Sequence, residues 1–111
     1  MHRVAVERDN GTTVVLATGE LDAFAAPDLA SALDGARGDQ RVVADLDRVS
    51  FMDSTALGLI VRATRELGEA GAKVRIVLPA GSARRIFEIT ALDRVLPIAE
   101  TRSSAIAELD A

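Results

Sequence analysis

The chain of 111 residues contains no cysteine, tryptophan or tyrosine, one histidine and one lysine. The absence of cysteine excludes disulfides, thiolate catalysis and cysteine-ligated zinc. Aromatic side chains are limited to three phenylalanines, although 49% of the residues are hydrophobic. The apolar residues are therefore mainly Ala, Val, Leu and Ile. This composition favours a parallel sheet whose aliphatic strands are covered by helices on both faces.

An excess of basic charge is also lacking, because the formal net charge is −4. Proteins that bind nucleic acids need a concentrated basic surface, so we expect no nucleic-acid partner. No apolar run approaches the roughly 20 residues of a membrane span. We therefore expect a cytoplasmic protein without a membrane partner. The length predicts one domain over residues 1–111.

Strand and helix patterns alternate after an N-terminal hairpin. Asn10-Gly11 predicts the hairpin turn, because both turn positions require positive φ. The predicted strands lie around 4–6, 14–19, 42–46, 73–78 and 95–98, and the predicted helices open at 24–29, cover about 55–69 and 82–91, and start at Thr101. This order predicts an α/β fold: a mixed, mostly parallel sheet of about five strands with an antiparallel N-terminal hairpin, covered by about four helices.

Three small polar residues, Asp53-Ser54-Thr55, stand directly before the second predicted helix. The first backbone N–H groups of a helix attract anions, so a hydroxyl at this position suits phosphorylation. The same residue types are favoured helix N-caps, and a purely structural role stays open. We expect Ser54 to be the acceptor, since the β-branched Thr55 can direct its hydroxyl onto the local backbone.

Two further expectations concern the surroundings of Ser54. Phe51 should face inward, which would turn the neighbouring Met52 outward into a protein-contact patch. The parallel strands should end near Asp22, Asp53 and Pro79, and Asp22 should be a neighbour of Ser54, because sites in open α/β sheets lie at the carboxyl ends of strands.

Asp45-Leu46-Asp47 resembles the Asp-x-Asp opening of haloacid-dehalogenase-type phosphatases. Those enzymes also need a downstream lysine and a further acidic pair, whereas Lys73 starts a predicted strand. A receiver-type phosphate-accepting pocket would need a cluster of acids after the first strand and a lysine after the last parallel strand. The sequence has neither feature. We therefore expect no enzymatic activity, no catalytic residue, no metal site and no cofactor.

Together these segments resemble the STAS family, named for sulfate transporters and anti-sigma-factor antagonists. The resemblance spans the chain and rests on Gly19-Glu20-Leu21-Asp22, Pro27-x-Leu29, Val43-Ala44-Asp45-Leu46 and Val49-x-Phe51-Met52-Asp53-Ser54-Thr55-Ala56-Leu57-Gly58. It implies an anti-sigma-factor antagonist that frees a bacterial sigma factor, often in a stress response. Ser54 would be the phosphorylation site, and the partner-binding residues would be Asp22, Met52, Asp53, Ser54, Thr55, Leu57 and Gly58.

The partners implied by the resemblance are an anti-sigma factor with GHKL-type serine kinase activity and a serine phosphatase. Only the unphosphorylated form would bind the anti-sigma factor. The family also contains members without such a switch, so two alternatives remain: a subunit of a lipid-transport ABC complex, or a stressosome-type scaffold. A kinase gene beside this one would favour the antagonist, and an ABC transporter gene the lipid-transport subunit.

Overall fold

The computed structural model describes residues 1–110 and shows five strands and four α-helices. The strands are β1 (His2–Asp9), β2 (Thr12–Leu21), β3 (Arg41–Met52), β4 (Lys73–Val77) and β5 (Ile98–Ala99), and the helices are α1 (Ala26–Gly35), α2 (Ser54–Glu69), α3 (Ser82–Ile89) and α4 (Arg102–Leu109). The sheet order is β1-β2-β3-β4-β5. β1 pairs with β2 antiparallel and every other pairing is parallel. The predicted fold class is confirmed.

Apolar side chains are buried on both faces of the sheet, in two larger clusters and a small third one around Val42 and Val74. Helices α1, α2 and α3 cover one face, where their buried side chains Leu29, Ile60 and Phe87 join residues of β2, β3 and β4. Helix α4 covers the opposite face alone and contributes Ala105 and Leu109. The buried face of each helix is thus matched to an aliphatic strand surface, as the composition predicts.

Strand β3 is much longer than the predicted 42–46, and β2 extends to Leu21 instead of ending at Gly19. The pairing of β2 with β3 continues to Leu21 opposite Met52, and it contains two register shifts. At each shift β3 has one more residue than β2, which is the arrangement of a β-bulge. The polar residues at 47–48, which lie beyond the predicted strand, are accommodated in β3 by the first bulge.

The bulges determine which side chains of β3 reach the core. Leu46, Val49 and Met52 are all buried on the α1–α3 face although they are spaced by three residues. Regular alternation would repeat every second residue. Each extra residue therefore resets the alternation, and this resetting makes Met52 an inward-facing residue.

The last strand also differs from the prediction at 95–98. Residues Leu92–Arg94 form a short 3-10 helix that begins after Ala91, whose φ is 59°. Val95 follows this turn and is exposed, and β5 begins only after Pro97. Pro97 contributes a carbonyl that accepts from the N–H of Ile76 at 2.8 Å, but proline has no N–H to extend a ladder.

Gly11 and Gly19 share the same positive φ of 84°, but their surroundings differ. Gly11 completes the predicted hairpin turn, and a Cβ added there would meet nothing within 4 Å. A Cβ on Gly19 would lie 2.2 Å from the carbonyl oxygen of Met1. The backbone of Met1 therefore approaches β2 at Gly19 more closely than any side chain allows.

These two glycines form a matched pair for a stability measurement. Gly11→Ala should cost about 1–2 kcal/mol, the strain of a positive φ. Gly19→Ala should lower the free energy of unfolding by at least about 1 kcal/mol more, because Met1 must also be displaced. Urea denaturation of both variants measures the difference. Equal losses would show that Met1 moves aside without cost.

Candidate functional site

Asp22 and Asp53 lie side by side where β2 and β3 end. Leu21 and Met52 are paired, and the N–H of Asp53 donates to the carbonyl oxygen of Leu21 at 3.0 Å. The next residue along each strand is an aspartate. The structure therefore brings Asp22 and the start of α2 to the same edge of the sheet, as expected from the parallel topology.

Both aspartates are engaged by backbone N–H groups. Asp22 Oδ1 accepts from the N–H of Phe24 at 2.9 Å and from the N–H of Ala25 at 3.2 Å. Asp53 is the N-cap of α2, and its Oδ1 accepts from the N–H of Ala56 at 3.0 Å. These bonds fix the loop before α1 and the start of α2.

Ser54 is the first residue of α2 and is exposed. Because Asp53 performs the capping, the hydroxyl of Ser54 is not needed to satisfy the helix end. Thr55 is also exposed, and within residues 1–110 neither hydroxyl makes a hydrogen bond. The prediction that the Thr55 hydroxyl contacts the local backbone is therefore wrong. Hydrogen bonding does not distinguish the hydroxyl of Ser54 from that of Thr55.

The expected orientation of Met52 is also wrong. Met52 is only 5% exposed, whereas Phe51 is 50% exposed. The second bulge of β3, between Val49 and Phe51, reverses the alternation that the prediction assumed. Leu57, which the resemblance assigned to partner binding, is buried in the same core, and Gly58 is half-buried. The buried side chains of Met52 and Leu57 therefore hold the start of α2 against the core.

Two exposed phenylalanines flank this site and were not predicted as surface residues. Phe24, 87% exposed, lies in the loop that Asp22 holds, and Phe51 lies opposite Glu20 near the end of β3. The sequence pattern predicts a helix that opens at Phe24, whereas α1 begins at Ala26. The position of an aromatic residue between a strand end and Ala-Ala-Pro was a signal for its exposure. No local signal marks Phe51, because its orientation depends on the bulge.

Pro79 lies away from this site. β4 ends opposite Asp45, so β3 extends well beyond it toward Asp53. The residues after β4 face Leu46 and Val49 across a small groove of about 160 Å³. The expectation that three strands end at the same place is correct for β2 and β3 and wrong for β4.

The contacts of Asp45 indicate that this residue stabilises the fold. It is buried, its Oδ2 accepts from Arg102 Nε at 2.9 Å, and its Oδ1 accepts from the N–H of Asp47 at 3.0 Å. Arg102 Nη1 also donates to Glu7 at 2.9 Å. Burial lowers the pKa of Arg102, but its hydrogen bonds to Glu7 and Asp45 outweigh burial and leave that pKa raised. Arg102 thus links α4 to two strands.

Asp45→Asn should destabilise the fold by about 1–3 kcal/mol, because it removes the charge that faces Arg102 while keeping an oxygen for the Asp47 N–H. Asp47→Asn, at an exposed neighbouring position, should change stability by less than about 0.5 kcal/mol. Thermal and urea unfolding measure the stability of both variants. Metal-stimulated phosphatase activity lost in Asp45→Asn would instead indicate a catalytic carboxylate.

Comparison with known proteins identifies the fold family. The STAS domain family matches residues 3–105, which include every strand end and helix start described above. The chain belongs to the STAS domain family. The anti-sigma-B factor antagonist of Listeria monocytogenes is 34% identical to it over 94 residues, which cover 83% of this chain and 82% of that protein.

Two solved structures resemble this STAS domain closely. The crystal structure of an anti-sigma factor antagonist from Mycobacterium paratuberculosis has a TM-score of 0.90 at 27% identity and covers 100% of this chain and 96% of that one. The Bacillus cell fate determinant SpoIIAA in its phosphorylated form has a TM-score of 0.72 at 26% identity, covering 96% and 99%. Among the helices of residues 1–110, none has the length and apolar character of a membrane span.

Proposed function

We propose that this STAS domain is an anti-sigma factor antagonist and that phosphorylation of Ser54 switches its binding off. The observation that carries the proposal is the exposed hydroxyl of Ser54 at the first position of α2, next to a cap supplied by Asp53. The names of its relatives in Listeria and Mycobacterium support the antagonist function. A similar fold solved in a phosphorylated form supports the modification.

The proposed partner is an anti-sigma factor with GHKL-type serine kinase activity, and a serine phosphatase would restore the binding form. Asp22, Asp53, Ser54 and Thr55 would form the polar part of the contact. Phe24 and Phe51 would add apolar area, since exposed aromatic residues are frequent anchors of interfaces. In this proposal the domain has no catalytic activity of its own and acts in the cytoplasm, where sigma factors function.

The switch would act through charge rather than through refolding. A phosphoryl group adds about −1.5 to −2 charges beside Asp22 and Asp53. The N–H groups at the start of α2 offset part of this by about 0.3–1 kcal/mol, so the domain itself stays folded. A partner that covers Ser54 must desolvate the added charge, which costs several kcal/mol unless it is paired.

The kinase should modify Ser54 and leave Thr55 unmodified. After incubation with the cognate kinase and ATP, mass spectrometry should locate one phosphate on Ser54, and Ser54→Ala should remain unlabelled. Thr55→Ala is the matched control and should be labelled like the parent. Undiminished labelling of Ser54→Ala would exclude Ser54 as the acceptor, and a scaffold or lipid-transport role would then be favoured.

Binding should follow the charge at position 54. Ser54→Ala should bind the anti-sigma factor constitutively, whereas the phosphorylated parent should bind about a thousandfold more weakly, the equivalent of roughly 4 kcal/mol. Ser54→Asp should also bind poorly and melt within a few degrees of the parent. Titration calorimetry with the purified anti-sigma factor measures the affinities of Ser54→Ala, Ser54→Asp and the phosphorylated parent. Equal affinities of the parent and Ser54→Asp would contradict the electrostatic account.

A further inference from the structure

Gly58 and Arg62 follow Ser54 along α2 at intervals of four residues. Positions four apart on a helix are neighbours, with Cβ atoms about 5–6 Å apart, and long side chains point toward the N-terminal end. Arg62 has this orientation: its Nη1 lies 3.7 Å from the position that a Cβ on Gly58 would occupy. Its guanidinium therefore lies against Gly58, one helical turn after Ser54.

Arg62 is exposed and forms no ion pair with a carboxylate of residues 1–110. The acidic residues of the adjacent groove between α1 and α2 are already engaged by another arginine. Arg37 contacts Asp34 at 3.1 Å and Glu66 at 2.5 Å. Arg62 lines the same groove without such a partner, so its charge is available for a group on the other side of Gly58.

We propose that Arg62 is the cation that this chain provides for phosphorylated Ser54, and that it pairs with the phosphoryl oxygens across Gly58. The inference rests on the proposed function, since it requires a phosphate on Ser54. A guanidinium pairs with phosphate through several N–H donors at once. Asp22 and Asp53 face the same edge and repel a second negative group, so Arg62 is the compensating charge.

Glycine at position 58 makes this pairing possible. A Cβ there would be in ordinary contact with Nη1, and any longer side chain would occupy the space between Arg62 and Ser54. Pairing would hold the phosphate in one orientation against α2. Both groups are exposed, so the pair stays solvated, and a partner that covers Ser54 would still have to desolvate the phosphate together with Arg62.

The test uses the full chain with phosphoserine inserted at position 54 during translation, so that no kinase is required. Phosphorus NMR then follows the second pKa of the phosphate, which is about 6 when unperturbed. A nearby cation stabilises the dianion and lowers that pKa. We expect the value in Arg62→Gln to be about half a pH unit higher than in the parent.

Two variants serve as controls. Arg65→Gln removes another exposed arginine of α2, which lies three residues farther from Ser54 than Arg62 does. This variant should leave the phosphate pKa unchanged. Arg62→Lys keeps the charge and should retain part of the lowering, which a merely structural role for Arg62 would not produce. Circular dichroism should show that both Arg62 variants are folded.

An identical phosphate pKa in the parent and in Arg62→Gln would overturn this inference. The phosphorylation switch would be unaffected by that result, because kinase labelling of Ser54 and anti-sigma factor binding are measured independently. Conversely, a kinase that ignores Ser54 would remove the proposed function and leave the titration of the inserted phosphoserine unchanged.

Discussion

The parallel pairing of β2 with β3 determines the position of every group at the candidate site. It extends to Leu21 opposite Met52, and its last hydrogen bond joins the N–H of Asp53 to Leu21. Two bulges let β3 continue past its polar residues while Val49 and Met52 still reach the core. Because β3 is held to its final residue, α2 starts at a defined point beside the loop that precedes α1.

Adjacent residues at the start of α2 have different roles: some stabilise the helix end, whereas Ser54 is exposed. Asp53 satisfies the N–H of Ala56, and Met52 and Leu57 are buried below. The hydroxyl of Ser54 consequently makes no hydrogen bond that the fold requires, and its modification leaves the helix cap intact. The same arrangement explains how a surface can change its charge strongly while the fold beneath it remains the same.

The fold was predictable because its signals are local. Asn10-Gly11 specifies the hairpin turn, aliphatic runs mark the buried strands, and α4 starts as expected at Thr101, which is its N-cap. The orientations of Phe51 and Met52 were not predictable, because a bulge depends on which strand pairs alongside and in which register.

The candidate site was predictable in part for a related reason. Its location at the ends of β2 and β3 follows from parallel topology and from the resemblance to the STAS family. The choice of Asp53 as the cap could not be made from the sequence, since Asp53, Ser54 and Thr55 are all favoured N-cap residues. The environment of Asp45 depends on Arg102, which lies 57 positions away in the chain.

The division of the apolar interior by the sheet has an evolutionary consequence. Helix α4 packs on one face with Ala105 and Leu109, while α2 and the surface around Ser54 lie on the other. Side chains on opposite faces share no direct contact, so the effects of substitutions there should add independently. Exposed positions of α4 can therefore change, or acquire a second binding role, with little effect on the surface around Ser54.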